Sequence, residues 1–155
     1  MTRNPATAAP ALQLAQFAPF RLNRLANAVS EHLSEIYRER FGLAIPEWRV
    51  LVTVGEQREC TAQWIACSAH MHKTRVSRAV ASLTRRHLLE RSARSSDARE
   101  VSLRLGPAGR RLYAQLVPLA LDRERTLLAC MTEAQRRGFL LGLARLEESL
   151  GLASE

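Results

Sequence analysis

One five-residue stretch, Val101-Ser102-Leu103-Arg104-Leu105, alternates apolar and polar residues with period two, in a chain whose long apolar runs otherwise have helical spacing. A partner run, Leu88-Leu89-Glu90-Arg91-Ser92, precedes it. The link between them, residues 93–100, is small and polar and reads as the charged tip of a β-hairpin. A lone hairpin is marginal in water and needs another element to cover its apolar face. Here the elements on either side of it are helices, so the fold class is mainly α with one embedded hairpin.

The helical runs are readable from their punctuation. Residues 20–41 place Leu22, Leu25, Val29, Leu33 and Ile36 three or four apart, and Gly42 ends the run. Pro46 suits a first helical turn; Trp48, Leu51, Val52 and Val54 then give a short apolar face that stops at Gly55. Residues 56–60 read as a link or short strand. Thr61 is an N-cap for a short helix that buries Trp64, Ile65 and Ala66. A turn at residues 68–71 leads into an amphipathic run, residues 72–87, with Val76, Val80 and Leu83 on one side. At His70 that turn can require φ > 0, which His tolerates better than bulky residues do. Pro107 opens a long helix to about Cys130, with Pro118 placed to kink it or interrupt its hydrogen bonding. Thr132 and Gln135 form a capping box for a last helix carrying Phe139, Leu143, Leu146 and Leu150.

This order is a winged helix–turn–helix with a two-stranded wing, plus helices at both ends. The end helices lack enough mutual core to stand alone, and exposed apolar stripes of that kind mark an oligomer interface. The expected organisation is a flexible arm over 1–16, an N-terminal dimerisation helix over 17–45, a winged helix–turn–helix over 46–106 and C-terminal dimerisation helices over 107–155.

Charge is concentrated in the same middle region. The chain has 155 residues and a formal net charge of +8. Residues 71–111 hold eleven basic and three acidic side chains, so they carry the whole surplus; the remaining residues balance at twelve of each. A focused positive surface suits a polyanion, most often nucleic acid. Of 23 basic residues only Lys73 is not Arg. No stretch approaches the roughly 18 apolar residues of a membrane span, and the N-terminus has no long apolar core of a signal peptide. Three cysteines are too few and too widely spaced for a disulfide framework, which suits a cytoplasmic location. No Gly-rich phosphate loop, H-E-x-x-H or G-x-S-x-G is present, and the four His have no obvious acid partner, so an enzyme is disfavoured.

Four separated motifs, in order, resemble the MarR (multiple-antibiotic-resistance regulator) family of bacterial transcription factors. They are Ile45-Pro46-Glu47-Trp48-Arg49-Val50-Leu51, Thr61-Ala62-Gln63, Lys73-Thr74-Arg75-Val76-Ser77-Arg78-Ala79-Val80, and the wing with its exit from Asp97 through Val101 and Leu105 to Gly109. The departures are His70 where Gly is usual, His72 where Asp is frequent and Gly106 where Thr usually caps the helix. The resemblance implies a homodimer that binds double-stranded DNA at a pseudo-palindromic operator. One helix, residues 72–86, would enter the major groove and the wing an adjacent minor groove. It also implies a repressor released by a small aromatic or phenolic effector, with no cofactor and no metal.

Candidate DNA-binding residues are Lys73, Thr74, Arg75, Ser77 and Arg78 on that helix and Arg94, Asp97 and Arg99 in the wing. A bidentate Arg–guanine contact is worth ~1–3 kcal/mol of discrimination, and Asp97 is suited to holding Arg99 in a fixed direction. Arg85 and Arg86 read as DNA-backbone contacts or solvated groups. For an anionic aromatic effector the candidates are Arg21, Arg24, His32, Trp48 and Arg49, although Trp48 reads first as a core residue and Arg21 and Arg24 as solvated groups or interface pairs. Two regulators of the same fold remain as alternatives. A redox switch lacks the first-helix cysteine of the peroxide-sensing branch, and Cys60, Cys67 and Cys130 read as buried structural thiols. A metal site from Cys60, Cys67, His70 and His72 has suitable ligand types, but its spacing matches no strong zinc pattern. A winged-helix protein-interaction module is the alternative from a different class; it would not need Lys73, Arg75 and Arg78 to project together.

Overall fold

The computed structural model describes residues 11–93 and 101–152. Its elements run α1 (Ala18–Phe41), α2 (Ile45–Gln57), β1 (Glu59–Thr61), α3 (Ala62–Ser68), α4 (Lys73–Arg85), β2 (Leu89–Ala93), β3 (Val101–Leu105), α5 (Pro107–Leu128) and α6 (Glu133–Ser149). The hairpin is antiparallel, with Leu89 opposite Leu105 and Arg91 opposite Leu103. The expected two-stranded wing is in fact part of a three-stranded sheet. β1 adds to the other edge of β3, pairing Cys60 with Leu103. Its three residues are too few to show alternation, and its partner lies some forty residues away.

Local sequence accounts for most of the boundaries. Pro19 lies in the first turn of α1, and Gly42 ends that helix in the left-handed region, φ 59°. Thr61 Oγ1 accepts the Trp64 N–H at 3.1 Å and caps α3. Thr132 Oγ1 accepts from Gln135 N at 3.3 Å while Gln135 Oε1 accepts from Thr132 N at 2.9 Å, the reciprocal box expected at α6. α5 runs through Pro118 as one helix. α2 does not stop at Gly55 but continues to Gln57. Gly55 is a packing residue: a Cβ there would collide with the Tyr113 ring of α5.

Both helices of the helix–turn–helix end alike. After α3, His70 N–H reaches Cys67 O and Met71 N–H reaches Ala66 O; after α4, His87 N–H reaches Thr84 O and Leu88 N–H reaches Leu83 O. His70 and His87 hold φ 46° and 56°. This paired bonding around a left-handed residue is a Schellman motif, which ordinarily uses Gly.

The core lies within the winged lobe. Leu43, Val50, Leu51, Val54, Ile65, Val76, Leu83, Leu89 and Leu116 are fully or nearly fully buried. Trp64, expected inside, is 42% exposed. The end helices contrast with this. α6 buries nothing and α1 buries only Ser34 and Tyr37. Phe20, Leu22 and Leu25 of α1, Leu140, Leu141 and Leu146 of α6, and Leu150 just after it stand in solvent.

Candidate nucleic-acid interface

α4 separates its two faces cleanly. Val76, Ala79, Val80 and Leu83 point into the core, while Lys73, Thr74, Arg75, Ser77 and Arg78 are all exposed. The five candidates therefore share the solvent side of one helix with no neighbouring element over them. None of the three cationic side chains has a carboxylate within ion-pair distance among the described residues. Their charge is free to meet an external anion. Arg94, Asp97 and Arg99 lie outside the described residues.

The helix is capped by His72. Its Nδ1 accepts the Thr74 N–H at 3.3 Å, taking the role that an Asp would have. An imidazole does this without placing a carboxylate at that end of the helix. Next to it, a cavity of about 260 Å³ is lined by Asn27 and Ser30 of α1, Arg49 of α2, His70 and His72 of the turn and Arg75 of α4. Arg49 donates to Ser30 Oγ at 3.4 Å.

Only one of the five effector candidates lies in that cavity. Trp48 instead stacks on Tyr37, with ring centroids 4.0 Å apart and planes 17° apart. It forms part of the wall of a separate, mainly apolar cavity of about 490 Å³ between α1, α2, α5 and α6. Burial pushes the Tyr37 hydroxyl above its ordinary pKa. Arg21 and Arg24 line a shallow groove with Leu22, Leu25 and Leu146, and His32 is exposed elsewhere on α1. Sequence reasoning missed His70 and His72 as walls of the Arg49 cavity; their position two apart in a short turn was the available signal.

The cysteines depart from expectation. Cys67 and Cys130 are exposed, and only Cys60 is partly covered. Burial, with the Glu59 carboxylate beside it, pushes the Cys60 thiol up to about 11. Among the described residues no three His, Cys, Asp or Glu side chains are placed to share a metal ion, and no helix is long and apolar enough to cross a membrane.

A helix–turn–helix with a basic exposed second helix and an adjoining sheet defines the winged helix class of DNA-binding regulators. Residues 43–101 match the model of the MarR family. A MarR/EmrR family regulator from Acinetobacter sp. ADP1 has the same fold at a TM-score of 0.81 and 27% identity, over 92% of this chain and all of that one. BpsR of Bordetella bronchiseptica, whose DNA binding is regulated by 6-hydroxynicotinic acid, is similar at 0.78 and 20% identity over 89% and 98% of the two chains. PcaV of Streptomyces coelicolor, solved with its natural ligand, gives 0.76 and 20% over 91% and 99%. No curated protein matches. Residues 43–101 thus match the MarR family, and the chain as a whole has the fold of MarR-family transcriptional regulators.

Proposed function

We propose that this regulator is a cytoplasmic homodimer that represses transcription from a pseudo-palindromic operator and is released by a small aromatic carboxylate or phenol. The observation that carries the DNA reading is the exposed set Lys73, Arg75 and Arg78 on one face of α4, without an ion-pair partner among the described residues, with Thr74 and Ser77 between them. Arg75 and Arg78 supply forked donors for guanine; Thr74 and Ser77 suit phosphates. Arg94, Asp97 and Arg99 are kept as the wing's candidates for the minor groove on the resemblance alone. The dimer reading is supported by the uncovered apolar side chains of α1 and α6. Each is still 39–68% exposed, so part of the ~1.5–3 kcal/mol that full burial supplies awaits another surface.

The effector reading is supported by the cavity at the start of α4. Arg49 and Arg75, with His70 and His72, surround it with cationic or protonatable groups and almost no acid. An anion held there touches both the dimer helix α1 and the DNA-reading helix. BpsR, whose DNA binding is regulated by 6-hydroxynicotinic acid, and PcaV, solved with its natural ligand, share the fold.

The test begins with an operator selected by the protein from random duplex DNA. Arg75→Ala and Arg78→Ala weaken its binding by ~1–3 kcal/mol each, with the dimer intact by sedimentation. Binding falls steeply with salt through counterion release. Mutants that bind as well as the parent would remove α4 from the interface. A panel of aromatic carboxylates that leaves the complex untouched would remove the effector.

A further inference from the structure

Three helix ends meet at one ionic knot that the DNA reading does not use. Glu47, at the third position of α2, accepts the Ala44 N–H through Oε2 at 2.8 Å and the Ser82 hydroxyl of α4 through Oε1 at 2.5 Å. Arg86, at the end of α4, donates to the Phe41 and Gly42 carbonyls at 2.8 and 3.1 Å. Its guanidinium stands 3.8 Å from Glu47. The acid therefore sits at the positive end of α2 and the base at the negative end of α1, each favoured by the local helix dipole. Glu47 is only 14% exposed, so its share of the knot is sheltered from water. Arg86 is exposed, as a solvated cation would be, but its guanidinium is engaged by the α1–α2 junction.

The knot matters because few polar groups fix α1 to the winged lobe, and it holds the end of α1 directly to the end of α4. α2 and α4 share a fully buried core around Leu51, Val54, Val76 and Leu83, but α1 contributes only Ser34 and Tyr37 to the buried set. The Ser34 hydroxyl is spent on Glu31 O within α1. Leu33, Ile36 and Phe41 pack partly buried on the core, and the Tyr37–Trp48 stack, the Arg49–Ser30 hydrogen bond and the Arg86 knot are the aromatic and polar ties between α1 and the winged lobe.

We infer that Arg86, Glu47 and Ser82 are positioning residues that set the angle between α1 and α4, and through the dimer the separation of the two reading helices. This rests on the proposed dimer and on α4 as the reading helix. α4 extends about 20 Å from Arg86 to Lys73 at ~1.5 Å per residue. A swing of about 10° at the knot then moves its reading end by roughly 3.4 Å, one base-pair step. A loose knot costs half-site spacing selectivity before it costs the fold.

The experiment compares Arg86→Ala, Arg86→Lys and Ser82→Ala on the selected operator and on versions with the half-site spacing changed by one base pair either way. Lys keeps the charge but cannot fork to two carbonyls. The parent is expected to prefer its own spacing by at least about tenfold, and Arg86→Ala and Arg86→Lys to reduce that preference to within about threefold. The salt slope stays unchanged. In the DNA-free proteins, amide exchange at Gly42, Leu43 and Leu88 speeds up. A phosphate contact gives the opposite pattern and overturns the inference: Arg86→Lys binds like the parent, and Arg86→Ala lowers the salt slope by about one per contact with the spacing preference kept. Unchanged amide exchange and unchanged spacing preference also overturn it. Should Arg86→Ala not fold, the Lys variant decides. Arg75→Ala and Arg78→Ala run on the same duplexes separate the two failures: if they bind normally the reading helix is wrong, and the amide exchange still decides the knot.

Discussion

Replacing His70 by Gly is expected to stabilise the protein while weakening its response to effector. His70 sits at φ 46° as the left-handed residue of the Schellman motif that ends α3. A Cβ in that region costs roughly 1–2 kcal/mol. Gly removes the cost but makes the unfolded chain more flexible, which takes back ~0.4–1 kcal/mol. The imidazole is exposed, so little burial is lost with it. The net gain is about 0.5–1 kcal/mol, a rise in Tm of ~1–4 °C for a chain of this length. Urea unfolding at fixed protein concentration, read as a shift of the midpoint at constant m, measures it. His70→Ala is the control, since it loses the imidazole and keeps the strained Cβ. Should the Gly variant prove no more stable than the Ala variant, backbone strain at His70 is refuted. Both variants retain operator binding but lose one wall of the Arg49 cavity. Release by an aromatic carboxylate then needs a higher concentration in both. Strain kept at a cavity wall is the pattern expected where a site is worth more than the stability it costs.

The packing sets three further outcomes. Gly109→Ala in α5 forces a Cβ against the Leu88 carbonyl, which is held by the Gly106 N–H while the Leu88 N–H donates to Leu83 O. Overpacking of ~1–3 kcal/mol outweighs the helix-propensity gain of ~1 kcal/mol, so thermal unfolding moves down, not up. Thiol labelling at pH 8 modifies Cys67 and Cys130 first and Cys60 last. The Cys60 thiol titrates at about 11, so it is almost wholly protonated at pH 8, and its lag shrinks as the pH rises toward 11; equal rates at pH 8 contradict its burial. Leu140→Glu with Leu146→Glu places charge on the uncovered face of α6 and is expected to yield monomers by sedimentation, with operator affinity reduced at least tenfold as the two half-sites are no longer bound together. A dimer that survives places the interface elsewhere.

The sequence by itself determined the elements whose information is local. Helical periodicity over residues 72–87 is enough to place Val76, Val80 and Leu83 inside and Lys73, Thr74, Arg75, Ser77 and Arg78 outside, because one helix turn relates them all. Thr61, Gly42 and the Thr132–Gln135 box act within four residues and are equally legible. His70 could be read as a left-handed position because the turn dictates its φ. The tertiary structure decided what depends on partners far along the chain. β1 exists because Cys60 finds Leu103. α2 passes Gly55 because Tyr113 needs the space. Trp64 stays outside because neighbouring elements leave it uncovered. Arg86 looked like one more cation in a basic segment, yet its hydrogen-bond partners lie 44 and 45 residues earlier. Arg49 joined His70 and His72 instead of Arg21 and Arg24 for the same reason: side chains share a cavity by where helices cross, and periodicity within one helix carries no record of that crossing.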